Sequence, residues 1–243
     1  MFSILLLTLH FVFQSAGKYS ASFTQLAPAF AVISVSFILK DKSILHYIKS
    51  HLYFDMKSIK WIIPVIAIPS ISIAISSFIL SYYKITYIAW EGNVSFYILS
   101  MIAILIGCAA EEIGWRGFLL PNLQKKYTPF ISSIIVGVLW GIWHLNFTEG
   151  LFGFLVYNIT IIEMSILMTW IFNRTNGNLL LMIIWHFTFN ITSHILLWER
   201  FTINLYLVES IVFGILCIII LINLRGGHKR HLKLNKDNKV CLN

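Results

Sequence analysis

The chain has 243 residues, of which 58% are hydrophobic and only 12% are charged, with a formal net charge of +8. An average soluble domain is about 25% charged, so this composition excludes an ordinary soluble protein and indicates an integral membrane protein. The positive charge comes without any nucleic-acid-binding motif, so we expect the lipid bilayer as a partner and no nucleic acid. The expected fold class is all-α: a polytopic membrane bundle of about eight transmembrane helices around a polar cavity.

Apolar runs locate the predicted spans, since a transmembrane helix needs about 20 residues. The first run, Phe2 to Ala16, is short, and we interpret it as a membrane helix that extends past Lys18. A cleaved signal peptide is the alternative, but no lysine or arginine precedes the run. The seven predicted spans after the first are residues 23–39, 61–80, 96 to about 120, 130–146, 151–172, 179–197 and 203–224. The fourth of the eight spans, 96 to about 120, is expected to end at Pro121.

The segment between the second and third spans, residues 40–60, is rich in lysine. Its apolar residues recur at helical spacing, which predicts an amphipathic helix on the membrane surface. Eight spans would place both ends of the chain on one side, together with 15 of the 18 lysines and arginines. Because positive charge is retained on the cytoplasmic side, we expect a multi-pass plasma-membrane protein with both termini cytoplasmic.

The three cysteines, Cys108, Cys217 and Cys241, are far apart in the sequence and form no CxxC pair. This spacing predicts neither a disulfide framework nor a cysteine metal site. The C-terminal Cys-Leu-Asn is also too short for a CaaX lipidation motif. We therefore interpret all three cysteines as structural or neutral residues.

Charged residues interrupt the apolar pattern most sharply at Glu111, Glu112 and Arg116. A charged side chain costs about 2.5–3.5 kcal/mol at bilayer depth, so this group must face a polar interior and find partners. Glu112 and Arg116 are four residues apart on one helix face and can pair. Glu111 points about 100° away, which leaves it available as a general base. An ion-pair cluster that only fixes helix packing is the alternative.

Two later spans carry further polar side chains. His144 lies near the end of the fifth span and, taken alone, is typical of an interfacial residue. His186 and Asn190 share one face of the seventh span, where they either hold helices together or donate hydrogen bonds into a cavity. A bundle that buries all these groups must bring them together or leave them unsatisfied. The combined set of a base, two histidines and neutral donors suits amide hydrolysis by activated water with a stabilised oxyanion.

This order of motifs resembles the CPBP family, which comprises the CAAX proteases and bacteriocin-processing enzymes and is also called the Abi family. The resemblance covers roughly residues 95–195, and the usual Phe-x-x-x-His motif of the family is Trp140-x-x-x-His144 here. It implies N-terminal transmembrane helices with a basic connecting segment at 1–94, a catalytic core at 95–224 and a basic cytoplasmic tail at 225–243.

The resemblance further implies an intramembrane endopeptidase that acts on small peptides or membrane-associated proteins. Processing of a bacteriocin or signal-peptide precursor, or immunity to a bacteriocin, is the expected role. The implied site has Glu111 and His144 as the pair that activates water, His186 and Asn190 on the oxyanion side, and Glu112 and Arg116 as orienting or substrate-binding residues.

Metal dependence has two alternatives at this point. The family is often described as metalloproteases, and Glu111, His144 and His186 could form a three-ligand zinc site with water in the open position. However, the chain has no HExxH motif. We favour glutamate chemistry without a metal, with zinc as the alternative, and expect no other cofactor.

Four further candidate residues, all ionisable, lie outside the motifs. Glu163 and Glu209, in the sixth and eighth spans, are interpreted as packing or cavity-lining residues. His194 is assigned an interfacial position, and His10 a structural or interfacial one. Two other function classes are weighed: a non-proteolytic immunity or regulatory scaffold, and a small-solute transporter, which is disfavoured because the chain shows no repeated halves.

Overall fold

A computed structural model describes residues 24–83, 94–197 and 202–240, with side chains for residues 24–83, 98–196 and 202–221. These residues contain helices and no strand, which confirms the all-α class. The predicted first span, His10 and Cys241 lie outside the described residues. The elements are α1 Ala27–Ile38, α2 Ser43–His51, α3 Ile59–Tyr82, α4 Val94–Gly114, a π-helical segment Trp115–Leu119, α5 Leu120–Gln124, α6 Pro129–Trp143, α7 Gly150–Arg174, α8 Leu179–Leu197 and α9 Ile203–Val240.

Five helical stretches within these ranges are long and apolar enough to cross a membrane, which confirms the polytopic bundle. The predicted second and fifth spans differ, because α1 has 12 residues and α6 has 15. At 1.5 Å per residue they are only about 18 and 22 Å long, shorter than the hydrocarbon core of about 30 Å. The last helix also runs on to Val240, through most of the segment predicted as a tail. The five spans are Ile59–Tyr82, Ile98–Gln124, Gly150–Arg174, Leu179–Leu196 and Ile203–Leu221.

The prediction that Pro121 ends the fourth span is wrong. The chain instead passes from α4 into the π-helical segment, where the Leu120 N–H donates to the Trp115 carbonyl five residues back. Pro121 then falls in the first turn of α5, where its missing N–H removes no essential helical bond. The helical path therefore continues to Gln124, and the π-helical segment lies directly after the two glutamates.

The core of the bundle lies between α6, α7, α8 and α9 and contains large buried side chains such as Trp140, Met168 and Trp185. Helices α6 and α7 approach closely at Gly137, where a Cβ atom would lie 2.6 Å from the Ile162 Cα. Helix α8 packs against both α3 and α4, and α1 packs against α4. This arrangement holds α6 and α8 beside the polar end of α4.

The lysine-rich connecting segment forms α2, as its apolar spacing predicts. Ile48 on this helix is buried in a small cluster with Leu179 and Ile183, so one face of α2 packs on the bundle. The segment after α2 is tied to the turn between α7 and α8, because the Tyr53 hydroxyl donates to the Thr175 carbonyl over 2.9 Å. The connecting segment and this turn therefore lie at the same end of the bundle.

Candidate active site

The two glutamates occupy the last turn of α4, immediately before the π-helical segment that carries Arg116. All three side chains are 0% exposed. Isolated charges so deeply buried would be very costly, so their partners decide whether the arrangement is stable.

Glu112 is the centre of a buried ion-pair network. Its Oε1 atom accepts a hydrogen bond from Arg116 Nη1 at 3.0 Å, which confirms the predicted pairing. The same oxygen lies 3.0 Å from Nδ1 of His186 on α8. Because a carboxylate can only accept, His186 Nδ1 carries the hydrogen, and Glu112 thereby fixes the orientation of that ring.

Glu111 is held by a different partner, the indole of Trp140 on α6. Trp140 Nε1 donates to Glu111 Oε2 over 2.7 Å. A phenylalanine at this position has no such donor, so the substitution of Trp for the expected Phe adds a hydrogen bond to the candidate base. The indole also contacts the rest of the network, with its ring 4.4 Å from Arg116 Cζ and 5.1 Å from the His186 ring centroid.

Several buried polar atoms of this cluster make no hydrogen bond within the part of the chain that the structure describes. They are Glu111 Oε1, Glu112 Oε2, and Nε and Nη2 of Arg116. Buried polar groups normally have a protein or water partner, and exceptions concentrate at functional sites. Water and the polar backbone of a bound peptide are the kinds of group that would satisfy them.

His144 lies at the end of α6, one helical turn after Trp140, and is exposed. Its Nδ1 atom is 2.8 Å from the Trp140 carbonyl oxygen, so Nδ1 carries the hydrogen and Nε2 of the neutral ring remains an acceptor. The ring packs edge-on against Tyr157, with centroids 5.6 Å apart. Trp140 therefore contacts both His144 and Glu111, whereas His144 and Glu111 make no direct hydrogen bond within the described residues.

Asn190 joins the cluster through a residue that the sequence did not single out. Its Nδ2 atom donates to the sulfur of Cys108 over 3.2 Å, and the thiol is 0% exposed. Cys108 also interacts with the His186 ring. In the sequence, the spacing of Cys108 could have indicated its role. It lies three residues before Glu111 and four before Glu112, which places all three on the same side of α4.

A second group of polar residues missed in the sequence extends the site beyond His144. Asn146 Nδ2 donates to the Tyr206 hydroxyl over 2.8 Å, and the rings of Tyr157 and Tyr206 meet edge to face at 5.0 Å. Aromatic residues are common throughout this chain, so their spacing alone gave no signal for this contact.

The other predicted ionisable residues have separate surroundings. Glu209 is 1% exposed and accepts hydrogen bonds from the hydroxyls of Ser72 and Ser76 on α3. Glu163 interacts with Ser210 on α9. His194 is half-buried on α8, two helical turns after His186. None of these contacts includes a residue of the Glu111–Glu112 cluster.

Zinc is the alternative cofactor that the sequence leaves open. Within the described ranges, no group of three or more His, Cys, Asp or Glu side chains is placed to hold a metal ion, so Glu111, His144 and His186 are not brought together there as a zinc site. In both histidines Nδ1 is bound to an oxygen, which leaves Nε2 as the nitrogen that could bind a metal.

An apolar cavity of about 200 Å³ lies between α1, the π-helical segment and the end of α6. Its lining includes Pro28, Val32, Trp115 and Trp143. Trp115 adjoins Arg116 in the sequence, and Trp143 adjoins His144, but the residues that line the cavity do not include those of the polar cluster.

Comparison with known proteins gives two matches. A family model described as type II CAAX prenyl endopeptidase Rce1-like matches residues 92–192. CAAX prenyl protease 2 from Methanococcus maripaludis is 28% identical over 128 residues, which cover 46% of this chain and 47% of that protein. The chain thus spans about half the length of this curated relative. Both glutamates, Arg116 and the later polar residues of the cluster lie inside the segment that the family model matches.

Proposed function

We propose that this chain is an intramembrane endopeptidase of the CAAX protease family, a proposal that its similarity to that family over residues 92–192 supports. The observation that carries the proposal is the buried cluster in which Glu111 keeps one carboxylate oxygen without a hydrogen bond to the described residues, beside a fixed histidine and a fixed arginine. A buried polar atom without a partner calls for an explanation, and a catalytic role with bound water is one that the whole cluster supports.

In the proposed reaction, Glu111 Oε1 takes a proton from a water molecule whose oxygen attacks the carbonyl carbon of the scissile peptide bond. The carbonyl π electrons move to its oxygen and form an oxyanion. The C–N bond then breaks, and the leaving nitrogen receives the proton from the Glu111 carboxyl group. His144 Nε2 assists as a hydrogen-bond acceptor for the attacking water.

The oxyanion side of the site is assigned to α8. Asn190 Nδ2 would donate to the developing negative charge, which is where fixed donors contribute most to rate. The His186 ring would donate from Nε2 in its doubly protonated form, while Nδ1–H stays bound to Glu112. Glu112 and Arg116 act indirectly, because Glu112 orients the His186 ring and Arg116 holds Glu112 in place. Arg116 Nε and Nη2 remain able to bind substrate carbonyl groups.

The proposed substrates are small peptides or membrane-associated proteins with an apolar segment. The cavity lined by Pro28, Val32 and Trp143 supports this class, because its apolar lining suits an apolar side chain and two of its tryptophans adjoin Arg116 and His144 in the sequence. Bacteriocin and signal-peptide precursors are the favoured candidates. A peptide with a prenylated C-terminal CaaX sequence, suggested by the name of the archaeal relative, is the second candidate.

A cleavage assay with purified protein in lipid nanodiscs tests the proposal. Precursor peptides encoded next to this gene and a farnesylated CaaX peptide are incubated with the wild type, Glu111→Ala and His144→Ala, each with and without chelator. We expect cleavage by the wild type that persists with chelator and is lost in both variants. Loss on chelation with recovery on added zinc would replace the glutamate mechanism by a metal-dependent one.

The same assay separates the protease from a non-proteolytic scaffold. No cleavage of any peptide, together with a cellular immunity phenotype that survives Glu111→Ala, would favour the scaffold. Folding of each variant is checked by its elution as a single species and by its melting temperature.

We further propose a plasma-membrane location with both termini cytoplasmic. Lys49, Lys57 and Arg174 support this, because the connecting segment and the turn after α7 lie at one end of the bundle. Reporter fusions at residue 55 and residue 175 should both report the cytoplasm. A periplasmic signal from either fusion would contradict the orientation.

A further inference from the structure

We propose that Cys108 is a positioning residue that holds the amide of Asn190 in place before the oxyanion forms, an inference that rests on the proposed protease function. Cys108 is fully buried one helical turn before the two glutamates. Its sulfur accepts the Asn190 Nδ2 hydrogen bond at 3.2 Å. The thiol thus connects the helix of the candidate base to the helix of the candidate oxyanion donors.

The orientation of the Asn190 amide depends on Cys108 more than the orientation of the His186 ring does. The His186 ring is already fixed through Nδ1 by the Glu112 carboxylate at 3.0 Å. For the Asn190 amide nitrogen, the Cys108 sulfur is the partner that the structure shows. Without it, the terminal amide torsion is broad and poorly defined, so the donor would sample several directions.

Sulfur suits this purpose because it is a weak hydrogen-bond acceptor. A donor aimed in advance at the developing charge needs no reorganisation during the reaction. The same donor must exchange its resting partner for the oxyanion, and a weak bond to sulfur is given up at little cost. Cys108 therefore directs the amide without competing strongly for it.

Cys217 provides a matched control elsewhere in the bundle. It is also a buried cysteine, 6% exposed, and its sulfur donates to the Glu163 backbone carbonyl at 3.5 Å. It makes no contact with the Glu111–Glu112 cluster within the described residues. Removing either thiol shortens a buried side chain by the same atom, but only Cys108 adjoins a proposed donor.

The test compares kcat and KM for peptide cleavage by the wild type, Cys108→Ala, Cys108→Ser and Cys217→Ala. We expect Cys108→Ala to lower kcat about tenfold with KM within about twofold, a smaller loss than the 10²–10³-fold typical of deleting an oxyanion donor. Cys108→Ser should stay within about threefold of the wild type because its hydroxyl can accept from Asn190. Cys217→Ala should leave both constants unchanged.

Repeating Cys108→Ala in an Asn190→Ala background completes the test. We expect no further fall in kcat there, because the amide that Cys108 positions is gone. An equal fall in both backgrounds, or a lower melting temperature with normal kcat, would overturn the positioning role. A wild type that cleaves no peptide would refute the proposed function and this role with it, whereas an active wild type with a fully active Cys108→Ala refutes the positioning role alone.

Discussion

Two carboxylate sites in this bundle are both buried but differ in what surrounds them. Glu209 is 1% exposed, and its two oxygens accept hydrogen bonds from the hydroxyls of Ser72 and Ser76. The Glu111 and Glu112 carboxylates are 0% exposed, face ionisable or aromatic partners and each keep one oxygen without a protein hydrogen bond in the described ranges. Burial of a carboxylate therefore does not by itself identify a candidate active site.

The partners are what distinguish the two sites. Neutral hydroxyls from α3 satisfy Glu209 and join α3 to α9, which is enough to explain the residue as a packing contact. The other site collects an arginine, a histidine and an indole from α6, α8 and the π-helical segment. This set holds charge in a fixed orientation and leaves donors and acceptors for a substrate.

The sharpest test of this difference removes one carboxylate from each site. Glu111→Gln should lower kcat by about 10²–10⁴-fold, the usual contribution of a general base. Glu209→Gln should leave kcat within about threefold, because the amide oxygen can accept from one serine hydroxyl and the amide NH2 can donate to the other. Both are measured as steady-state cleavage of the same peptide in nanodiscs, and comparable losses in the two variants would show that the sites are not functionally distinct.

Arg116→Met should have the next largest effect, on stability. It leaves the buried Glu112 carboxylate without its cation, and breaking a buried ion pair in this way typically costs about 3–5 kcal/mol. The measurement is the free energy of unfolding in mixed micelles. Lys125→Met, which removes an exposed cation from the same helical path, is the control and should change the unfolding free energy little.

Trp140→Phe tests what the indole adds at the position where the CPBP family, which this chain resembles, usually has Phe. It removes the 2.7 Å hydrogen bond to Glu111, and a bond to a charged group is worth about 1.5–3 kcal/mol. We expect kcat to fall about tenfold to a hundredfold with little change in KM. Trp185→Phe is the matched control, since the Trp185 Nε1 atom is buried without a partner among the described residues. Unchanged kcat in Trp140→Phe would mean that this bond has no role in the reaction.

The smallest predicted effect concerns the packing site. Ser76→Ala removes one of the two hydroxyls that donate to Glu209, and buried side-chain hydrogen bonds in membrane proteins average about 0.6 kcal/mol. We expect a stability loss of about that size with normal cleavage. Ser132→Ala is the control, because the Ser132 hydroxyl is also buried but makes no hydrogen bond in the described part of the chain. A loss of cleavage in Ser76→Ala would instead connect Glu209 to the reaction.

Much of the fold could be predicted because membrane spans are read directly from apolar length. The seventh predicted span, residues 179–197, coincides with α8 Leu179–Leu197. The predicted span bounds were wrong where the helix ends before the apolar run does or continues beyond a proline. Residues 130–146 are apolar enough for a span, but α6 ends at Trp143, since the chain turns there and Leu145 has a positive φ of 45°. Pro121 was expected to stop a helix that the π turn allows to continue.

The candidate site was predictable in its members but not in its connections. Glu112 and Arg116 could be paired from the sequence because four residues make one helical turn. The bond from His186 to the same carboxylate joins residues 74 positions apart and depends on how α8 packs against α4. Trp140 was noted only as a change from the family pattern, and Cys108 was interpreted as structural or neutral, because neither residue is charged.

By itself, the sequence determined that this chain lies in a membrane as a helical bundle and that its acidic motif must be buried among polar partners. Both follow from local quantities: the length of apolar runs and the high cost of a lone charge in lipid. Only the tertiary structure decided which partner each group has. Trp140 bonds to Glu111, whereas Arg116 and His186 both bond to Glu112. Cys108 is the hydrogen-bond partner of Asn190. These pairings depend on helix packing and on the π-helical segment. Contacts between helices join residues that are far apart in the sequence, so local sequence patterns do not reveal them.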